Sequence, residues 1–334
     1  MISRLLTTEQ LRALAASPDL EEALRLLMAT AYETMATGLL ERGATTEEVE
    51  RAMARNLVAS YRRTVFIVRG RQGAVVEQMA RRLELENLKT ILRAKARGES
   101  ADALRPLIVP MDELSDLPYD EMIGAEDLEA MARALADTEF GPVLSAVLPR
   151  YEAEHTLLPV EIALDLHYYR KLWQIAQLLS GGDLRVARRT IGIRYDLLNV
   201  DWIVRYRLVY QLSPEEIFNY TLPHGWRVDN AVVRRAASGE GIEEVTSALP
   251  NPYRALLSAV GGLPDPVERT GLILQRYLSA IARLSLAGHP FQIGVALAYT
   301  WLKEAELHDL RVVLEAKRYG FPVEMTTDRF WGAA

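Results

Sequence analysis

The chain has 334 residues, of which 49% are hydrophobic and 25% charged, proportions that are ordinary for a folded globular protein. The formal charge of −6, from 45 acidic and 39 basic residues, argues against a nucleic-acid binder, which usually presents a basic face. No apolar run reaches the roughly 20 residues that cross a bilayer, and the start, MISRLLTTEQ, lacks the apolar stretch of a secretion signal. Because cysteine is absent, disulfides and thiolate metal sites are excluded, and a cytosolic location is the default expectation.

Nearly every segment shows the spacing of three and four between apolar residues that is typical of helices, and we find no convincing strand pair. The helical segments are 19–42, 46–65, 70–97, 126–149, 158–179, 183–211, 264–286 and 290–319. Typical start signals stand at Asp19, Ser213 and Pro266. Glycines close the periodic runs, at Gly43, Gly98, Gly181, Gly182, Gly288 and Gly320. The sequence therefore predicts an all-α fold.

A twelve-residue pattern, here called the box, occurs three times about 110 residues apart, each time on a predicted long helix. The copies are ELENLKTILRAK (84–95), DLLNVDWIVRYR (196–207) and ELHDLRVVLEAK (306–317). Each begins with an acid, has Asn or Asp at its fourth position and ends with a base. These fixed polar positions are Glu84, Asn87, Lys95, Asp196, Asn199, Arg207, Glu306, Asp309 and Lys317. We interpret them as structural repeat positions, because internal repetition dictates architecture.

Two further landmarks keep the same order in each copy. A short amphipathic segment that ends in an aromatic residue covers 20–32, 128–140 and 242–253, and a Val-Glu pair opens the next helix at 49–50, 160–161 and 267–268. A repeat of about 110 residues is large enough to hold several helices and its own core. We therefore predict three helical units, 1–114, 115–227 and 228–334, that form a compact pseudo-threefold body. The candidate joints are residues 106–118 and 222–226.

The Asn or Asp of each box falls at the edge of the apolar stripe of its helix. A buried amide without partners costs about 1–3 kcal/mol, so each copy is expected to bond to loop backbone or to a neighbouring helix. The structural interpretation is that Asn87, Asn199 and Asp309 specify the fold of each unit. The alternative is that they contact a ligand or a ring.

Motifs of catalysis and cofactor binding are missing from the sequence. The five histidines, His155, His167, His224, His289 and His308, show no metal-binding spacing and are expected on the surface or in loops. No phosphate-binding glycine loop and no GxSxG elbow occurs. We therefore predict no catalytic, metal or cofactor-binding residue. The second unit is rich in aromatic residues, which are expected in the core or at a partner interface.

The three boxes, the segment IFNYTLPHGWRV after the second box, and the closing PFQIGVALAYTWLKEAELHDLRVVLEAKRYGFP together resemble the C subunit of the prokaryotic V-type (A/V-type) ATP synthase, the counterpart of the d subunit in eukaryotic vacuolar ATPases. In the closing segment, five residues fall at the family's spacing: Pro290, Tyr299, Glu306, Leu310 and Lys317. Three departures are Asp309 in place of Asn, Glu315 in place of the arginine seen at 93 and 205, and His224 in a turn where the family tends to have glycine.

The resemblance implies a funnel-shaped, pseudo-threefold, all-helical rotor subunit without catalytic residues or cofactor. Such a protein lies peripherally at the cytoplasmic face of the membrane, on the proteolipid ring, and receives the D and F subunits of the central stalk. It would couple ATP synthesis or hydrolysis to proton or sodium transport. The main alternative is a helical-repeat scaffold that binds helices or peptides. An all-helical prenyl-chain synthase would need DDxxD boxes, and the sequence has none.

Overall fold

The computed structural model describes residues 2–288 and 292–332, and within these ranges it contains helices, turns and loops but no strand. The prediction of an all-α fold is confirmed. His289, one of the five histidines, and Pro290, in the closing segment, lie outside the described residues. None of the described helices is both long enough and apolar enough to cross a membrane.

The described residues form eighteen α-helices. The first six are α1 (Thr8–Ala16), α2 (Leu20–Met28), α3 (Glu33–Glu41), α4 (Thr46–Val68), α5 (Gly70–Ala96) and α6 (Ala101–Leu104). The next six are α7 (Tyr119–Gly124), α8 (Leu128–Ala134), α9 (Gly141–Glu154), α10 (Leu158–Ala176), α11 (Gly181–Leu208) and α12 (Pro214–Asn219). The last six are α13 (Asn230–Ala237), α14 (Ile242–Ser247), α15 (Tyr253–Leu257), α16 (Pro266–Leu286), α17 (Ile293–Tyr319) and α18 (Val323–Thr327). Short 3₁₀ turns occur at Ile2–Arg4, Arg105–Leu107, Asp112–Leu114 and Val260–Gly262.

Two segments that the periodicity predicts as single helices are each broken into two. Residues 19–42 form α2 and α3, and residues 126–149 form α8 and the first part of α9. At the first break, the Thr30 hydroxyl donates to the carbonyl three residues before it (2.7 Å) and accepts from the amide two residues after it (3.1 Å). Thr138 repeats this pattern at the second break, at 2.7 and 3.2 Å. Both threonines lie in the turn just after the first helix, where the side chain bonds to backbone groups that a continuous helix would use.

The helix ends follow the capping signals of the sequence. Asp19 accepts a hydrogen bond from the amide of Glu22 at the start of α2 (2.8 Å), and Ser213 forms a capping box at the start of α12. Gly98 and Gly320 adopt φ of 71° and 70° just after α5 and α17, the left-handed conformation that closes a helix at low steric cost. Gly181 differs, because it is the first residue of α11 rather than a stop.

Three pairs of long helices form the frame of the molecule: α4 with α5, α10 with α11, and α16 with α17. The second helix of each pair carries a box. Between pairs, α5 packs against α10, α11 against α16, and α17 against α4. The packing order therefore closes on itself, with the last pair against the first. In an open solenoid each repeat contacts only its sequence neighbours, so this contact differs from that architecture.

The starts of the three box helices lie together at one end of the molecule. The Asp183 carboxylate accepts from the side-chain amide of Gln72 (2.6 Å) and from the backbone amide of Ile293 (3.1 Å). These residues stand 111 and 110 positions from Asp183 in the sequence. Each box helix has 27 or 28 residues, about 40 Å at 1.5 Å per residue, so the boxes themselves lie towards the other end.

One main hydrophobic core runs through the described part of the chain, from Leu6 to Phe330. It includes side chains of all three box helices, such as Leu88, Val200 and Leu310, each at most 1% exposed. A continuous, close-packed interior transmits strain, so forces applied at one end are expected to reach the other.

Candidate functional site

The central residue of each box is buried on the core side of its helix. Asn87 is 2% exposed, and Asn199 and Asp309 are fully buried. Because each of these side chains has two polar atoms and no access to water, each requires hydrogen-bonding partners within the protein.

The amides of Asn87 and Asn199 make the same pair of hydrogen bonds. Asn87 donates to the carbonyl of Val109 (2.7 Å) and accepts from the amide of the same residue (2.9 Å). Asn199 donates to the carbonyl of Leu222 (2.8 Å) and accepts from its amide (2.7 Å). The two target residues lie 22 and 23 positions after their asparagines. An asparagine fits this position because it is both donor and acceptor, and it fixes a returning loop at one backbone residue.

Asp309 binds a segment at the same distance along the chain, but through two amides. Its carboxylate accepts from the backbone of Trp331 (2.6 Å) and Gly332 (2.9 Å), which lie 22 and 23 positions further on. A carboxylate offers acceptors only, so it matches a segment that presents two N–H groups. Burial raises the pKa of Asp309 to about 7, because the loss of hydration outweighs the two amide hydrogen bonds.

The acids that open the boxes bind further groups of the surrounding segments. Asp196 accepts from the amides of Arg227 and Val228 (both 2.9 Å) and from the hydroxyl of Tyr253 (2.7 Å). Burial raises the pKa of Asp196 in spite of these bonds. Glu306 accepts from the amide of Leu6 (2.5 Å). These acids thus attach segments that are remote in sequence to the box helices.

Each short amphipathic segment ends in an aromatic residue, and the type of this residue explains why the box acids have different hydroxyl partners. Tyr32 donates to Glu306 (2.5 Å), as Tyr253 does to Asp196. The corresponding residue for Glu84 is Phe140, which has no hydroxyl group to donate. Glu84 instead accepts from the hydroxyl of Ser115 (2.6 Å), and burial raises its pKa.

The bases that end the boxes all donate to backbone carbonyls. Lys95 contacts Ile123 (2.5 Å) and Arg207 contacts Gly239 (2.8 Å). Lys317 contacts Ala15 (2.6 Å) and also the carbonyl of Ser17. Partial burial lowers the pKa of Lys317. These carbonyls lie at helix ends, where a cation is favourable because the last carbonyls lack intrahelical partners.

The hydrogen bonds group the nine predicted residues into three clusters, one on each box helix, rather than into one site. Each cluster consists of an acid, an Asn or Asp, and a base that bind groups of other segments. This arrangement can hold loops and helices in place. Among residues 2–288 and 292–332, no group of three or more His, Asp or Glu side chains could hold a metal ion.

Ion pairs between neighbouring helix pairs were not identified from the sequence. Arg93 on α5 makes a bidentate pair with Glu161 on α10 (2.6 and 2.7 Å), and Lys89 pairs with Asp165 one turn away (2.5 Å). Glu161 belongs to one of the repeated Val-Glu pairs. That repetition was a usable signal, but it did not show which base would be the partner.

The contact between α17 and α4 also has ion pairs, but they involve different positions of the box helix. Glu315 stands where the other boxes have arginine, so it cannot pair with the acid of the first Val-Glu pair, Glu50. Arg311, one helical turn earlier, lies 2.9 Å from Glu50 through its Nε, and Arg318 pairs with Glu47 (2.8 Å). A residue four positions earlier lies on the same helix face, so Arg311 can take over this role.

The helices α11 and α16 do not pack fully against each other at the corresponding place. A cavity of about 400 Å³ lies there, and its lining includes Asp201, Arg205, Glu268 and Gly271. Arg205 is 3.7 Å from Asp201. The other carboxylate oxygen of Asp201 has no hydrogen-bonding partner among the described residues, and burial raises the pKa of this residue.

Four of the five histidines lie among the described residues. Three of these, His167, His224 and His308, contact side chains of other residues. His167 lies on α10, not in a loop, with Nε2 at 2.9 Å from Glu139. His224 stacks on Trp173 with ring centroids 4.6 Å apart, and burial lowers its pKa. His308 also lies on a helix, α17, and stacks on Trp331 at 3.7 Å. Burial lowers its pKa to about 4, so its ring is neutral at pH 7.

The aromatic residues of the second unit divide between the core and the surface. Tyr169 is buried and contacts the rings of Tyr195 and Trp202 edge-on, at 5.6 and 5.9 Å between centroids. Trp226 and Tyr210 are 49% and 46% exposed. Most of this group therefore stabilises the packing of α10 against α11, while two members remain available for contacts outside the chain.

Together these features define a class of all-helical protein in which buried polar clusters on long helices attach the loops and short helices around them. A profile of the family described as ATP synthase (C/AC39) subunit matches residues 1–329. The chain therefore belongs to the ATP synthase (C/AC39) subunit family, and the resemblance drawn from the sequence is confirmed.

Curated relatives agree with this assignment over nearly the whole chain. The chain is 26% identical over 337 residues to the C subunit of the A-type ATP synthase of Methanothermobacter thermautotrophicus, covering 98% of this chain and 84% of the relative. It is 24% identical over 322 residues to the same protein of Methanosphaera stadtmanae, covering 95% and 81%. It is 25% identical over 328 residues to the C subunit of the V-type ATP synthase of Deinococcus radiodurans, covering 97% and 86%.

Proposed function

We propose that this chain is a non-catalytic rotor subunit of an A/V-type ATP synthase or ATPase, which joins the D and F subunits of the central stalk to the membrane proteolipid ring. In this role it lies at the cytoplasmic face of the membrane and transmits rotation linked to proton or sodium transport. The observation that carries the proposal is the family match over residues 1–329.

The closed packing order of the helix pairs supports a mechanical role. A coupling must transmit torque without changing shape, and close-packed interiors resist deformation. The three pairs contact one another in a cycle. The buried boxes attach further segments to the pairs, some close to the box in the sequence and some far from it. We infer that three equivalent units are arranged with pseudo-threefold symmetry around a central opening, as in a funnel. This closure also counts against an open helical-repeat scaffold.

Two ends of the molecule carry exposed apolar side chains, as a coupling between two partners requires. At the end where the box helices start, the exposed side chains include Phe66 (67%) and Leu178 (58%), in or beside tight turns between long helices. At the far end of α17, Tyr319 and Phe321 are 62% and 39% exposed. Exposed apolar groups of this kind often mark contacts with other proteins.

Deleting the chain from cells that produce it tests the role in coupling. We expect the ATP-hydrolysing head to separate from the membrane while hydrolysis by the released head continues, because the chemistry would reside in other subunits. ATP-driven ion transport in membrane vesicles should be lost, and expression of the intact chain should restore it. A head that stays attached and still drives transport without this chain would contradict the proposal.

The two ends can be tested separately by surface substitutions. We expect Phe66→Ser with Leu178→Ser to weaken binding of one partner, the ring or the stalk, and Tyr319→Ser with Phe321→Ser to weaken binding of the other. Pull-down of the D and F subunits and of detergent-solubilised ring with each variant is the measurement. Each double variant is the control for the other, since all four side chains are exposed. Loss of the same partner in both variants would refute the assignment of two ends.

A further inference from the structure

The helices follow one another in a repeated order, of which the described residues of the third predicted unit show only the first five helices. From α2 to α7 the order is two short or medium helices, two long helices of which the second carries the box, a short helix, and a closing helix. The same order runs from α8 to α13. The third run, from α14, reaches its short helix at α18, and the described residues that follow contain no closing helix. At the other end of the chain, α1 precedes the first run and has no place in it.

The first helix of the chain occupies the place of the missing closing helix. The closing helix α7 packs against α6 and α8, and α13 packs against α12 and α14. In the same way, α1 packs against α18 and α2. It also packs against the third box helix, α17, as α13 packs against the second, α11. Each of these helices therefore bridges the end of one run and the start of the next.

In the second and third cases, the box acid binds the residue that precedes the N-cap of the closing helix. Asp196 accepts from the amide of Val228, and Asp229 then caps α13. Glu306 accepts from the amide of Leu6, and Thr7 then caps α1. The two acids are equivalent box positions, so their partners are expected to be equivalent as well.

The box bases bind the far end of the closing helix in all three cases. Lys95 donates to the carbonyl of Ile123 in α7, and Arg207 donates to that of Gly239 just after α13. Lys317 donates to the carbonyls of Ala15 and Ser17 at the end of α1. Both ends of α1 are thus attached to the third box helix by the contacts that attach α13 to the second.

We propose that residues 2–17 are the closing segment of the third unit, and we call this segment the clasp. The inference rests on the proposed equivalence of the three units. It moves these residues from the first predicted unit, 1–114, to the third, 228–334. The clasp reaches its unit from the opposite end of the sequence, whereas α7 and α13 continue directly from theirs. The clasp is therefore the place where the third unit can open while the other two stay closed.

The contacts of the clasp are extensive enough to hold it in the folded protein. Leu6, Leu11 and Leu14 are each at most 3% exposed and belong to the main core. The void between the clasp and α17 is only about 10 Å³, room for one water molecule at most. Opening would expose these leucines, and it would take the amide of Leu6 away from Glu306 and the carbonyls of Ala15 and Ser17 away from Lys317. The closed state is therefore the ground state.

Amide hydrogen exchange in the intact chain and in a circular permutant tests the clasp. The permutant begins at residue 126, runs to 334, continues directly into residue 1 and ends at 125. The join keeps the path from Gly332 to Leu6 short, much like the path from Leu222 to Val228 in the second unit, so no linker is needed. We expect the permutant to fold, with α1 amides exchanging about tenfold more slowly than in the natural order, because opening now costs a tether at both ends.

Two matched substitutions keep the test decisive if the permutant fails to fold. Lys317→Ala should raise exchange in α1 and leave α7 unchanged, and Lys95→Ala should do the reverse. Unchanged α1 exchange in Lys317→Ala, or in a folded permutant, would overturn the clasp. The proposed rotor function would be unaffected by that outcome, since it is tested by coupling and pull-down.

Discussion

A single carboxylate distinguishes the third box from the other two. Asp309 accepts from two amides, whereas Asn87 and Asn199 each exchange two hydrogen bonds with one backbone residue. The departure from asparagine is therefore matched by a different arrangement of the segment it binds. An asparagine at 309 would turn its NH₂ group towards one of the two amides.

Asp309 is expected to make stability depend on pH. Its folded pKa of about 7 lies above the ordinary value of 3.8 because of burial, so the fold favours the protonated form. The contribution of Asp309 to the free energy of unfolding is fully present below about pH 4 and is lost as the pH rises through 7. The total loss in the free energy of unfolding is up to about 4 kcal/mol. The measurement is denaturant unfolding of the natural chain and of Asp309→Asn from pH 4 to 8. A difference between the two that does not change with pH would contradict this expectation.

Asn199→Ala should lower the free energy of unfolding by about 2–3 kcal/mol, because it leaves the N–H and C=O of Leu222 buried without partners. The control is Asn219→Ala at an exposed position, which should change the free energy by less than about 0.5 kcal/mol. Urea unfolding of both variants decides the question. Equal effects would mean that the box asparagine has no special structural role.

At the scale of the helices, the three contacts between neighbouring pairs differ in their polar groups. The α5–α10 contact has the Arg93–Glu161 pair, and the α17–α4 contact uses Arg311 with Glu50. The α11–α16 contact has a cavity beside Arg205 and Glu268. Equivalent sequence positions have therefore diverged in detail while the helix packing is kept.

An arginine at position 315, one helical turn after Arg311, should restore the stability that is lost when Arg311 is replaced. Arg311→Ala is expected to cost less than about 1 kcal/mol, since exposed ion pairs contribute little. Glu315→Arg, which restores the residue type of positions 93 and 205, should recover that loss by pairing with Glu50. The measurement is a double-mutant cycle by thermal unfolding at low salt. If Glu315→Arg changes the stability equally in the presence and absence of Arg311, the two positions do not both pair with Glu50.

Helix formation was largely predictable at this scale, whereas two helix breaks were not. The apolar spacing of 46–65 and 70–97 predicted α4 and α5 closely. The breaks at Thr30 and Thr138 were missed because apolar periodicity continues across them. A threonine within a helical pattern gives no sign by itself of whether its hydroxyl will bond to the backbone or face the solvent.

At the scale of the whole molecule, the closed order of helix pairs predicts a compact particle. A globule of this length has a radius of gyration of about 20 Å, and a central opening would raise the value slightly. Small-angle scattering of the isolated chain should therefore give about 20–23 Å and no long tail in the distance distribution. A clearly elongated profile would favour an open scaffold instead.

The all-helical class, the family, the repeated boxes and the approximate bounds of the long helices could all be predicted from the sequence, because these depend on local spacing and on residues that are near one another in the chain. The segments that the box residues hold became known only from the packing of the folded chain. Glu306 binds Leu6, 300 positions away, and Lys317 binds Ala15, 302 positions away. Periodicity tells which face of a helix is buried but not what covers it, since that depends on how all the elements pack together.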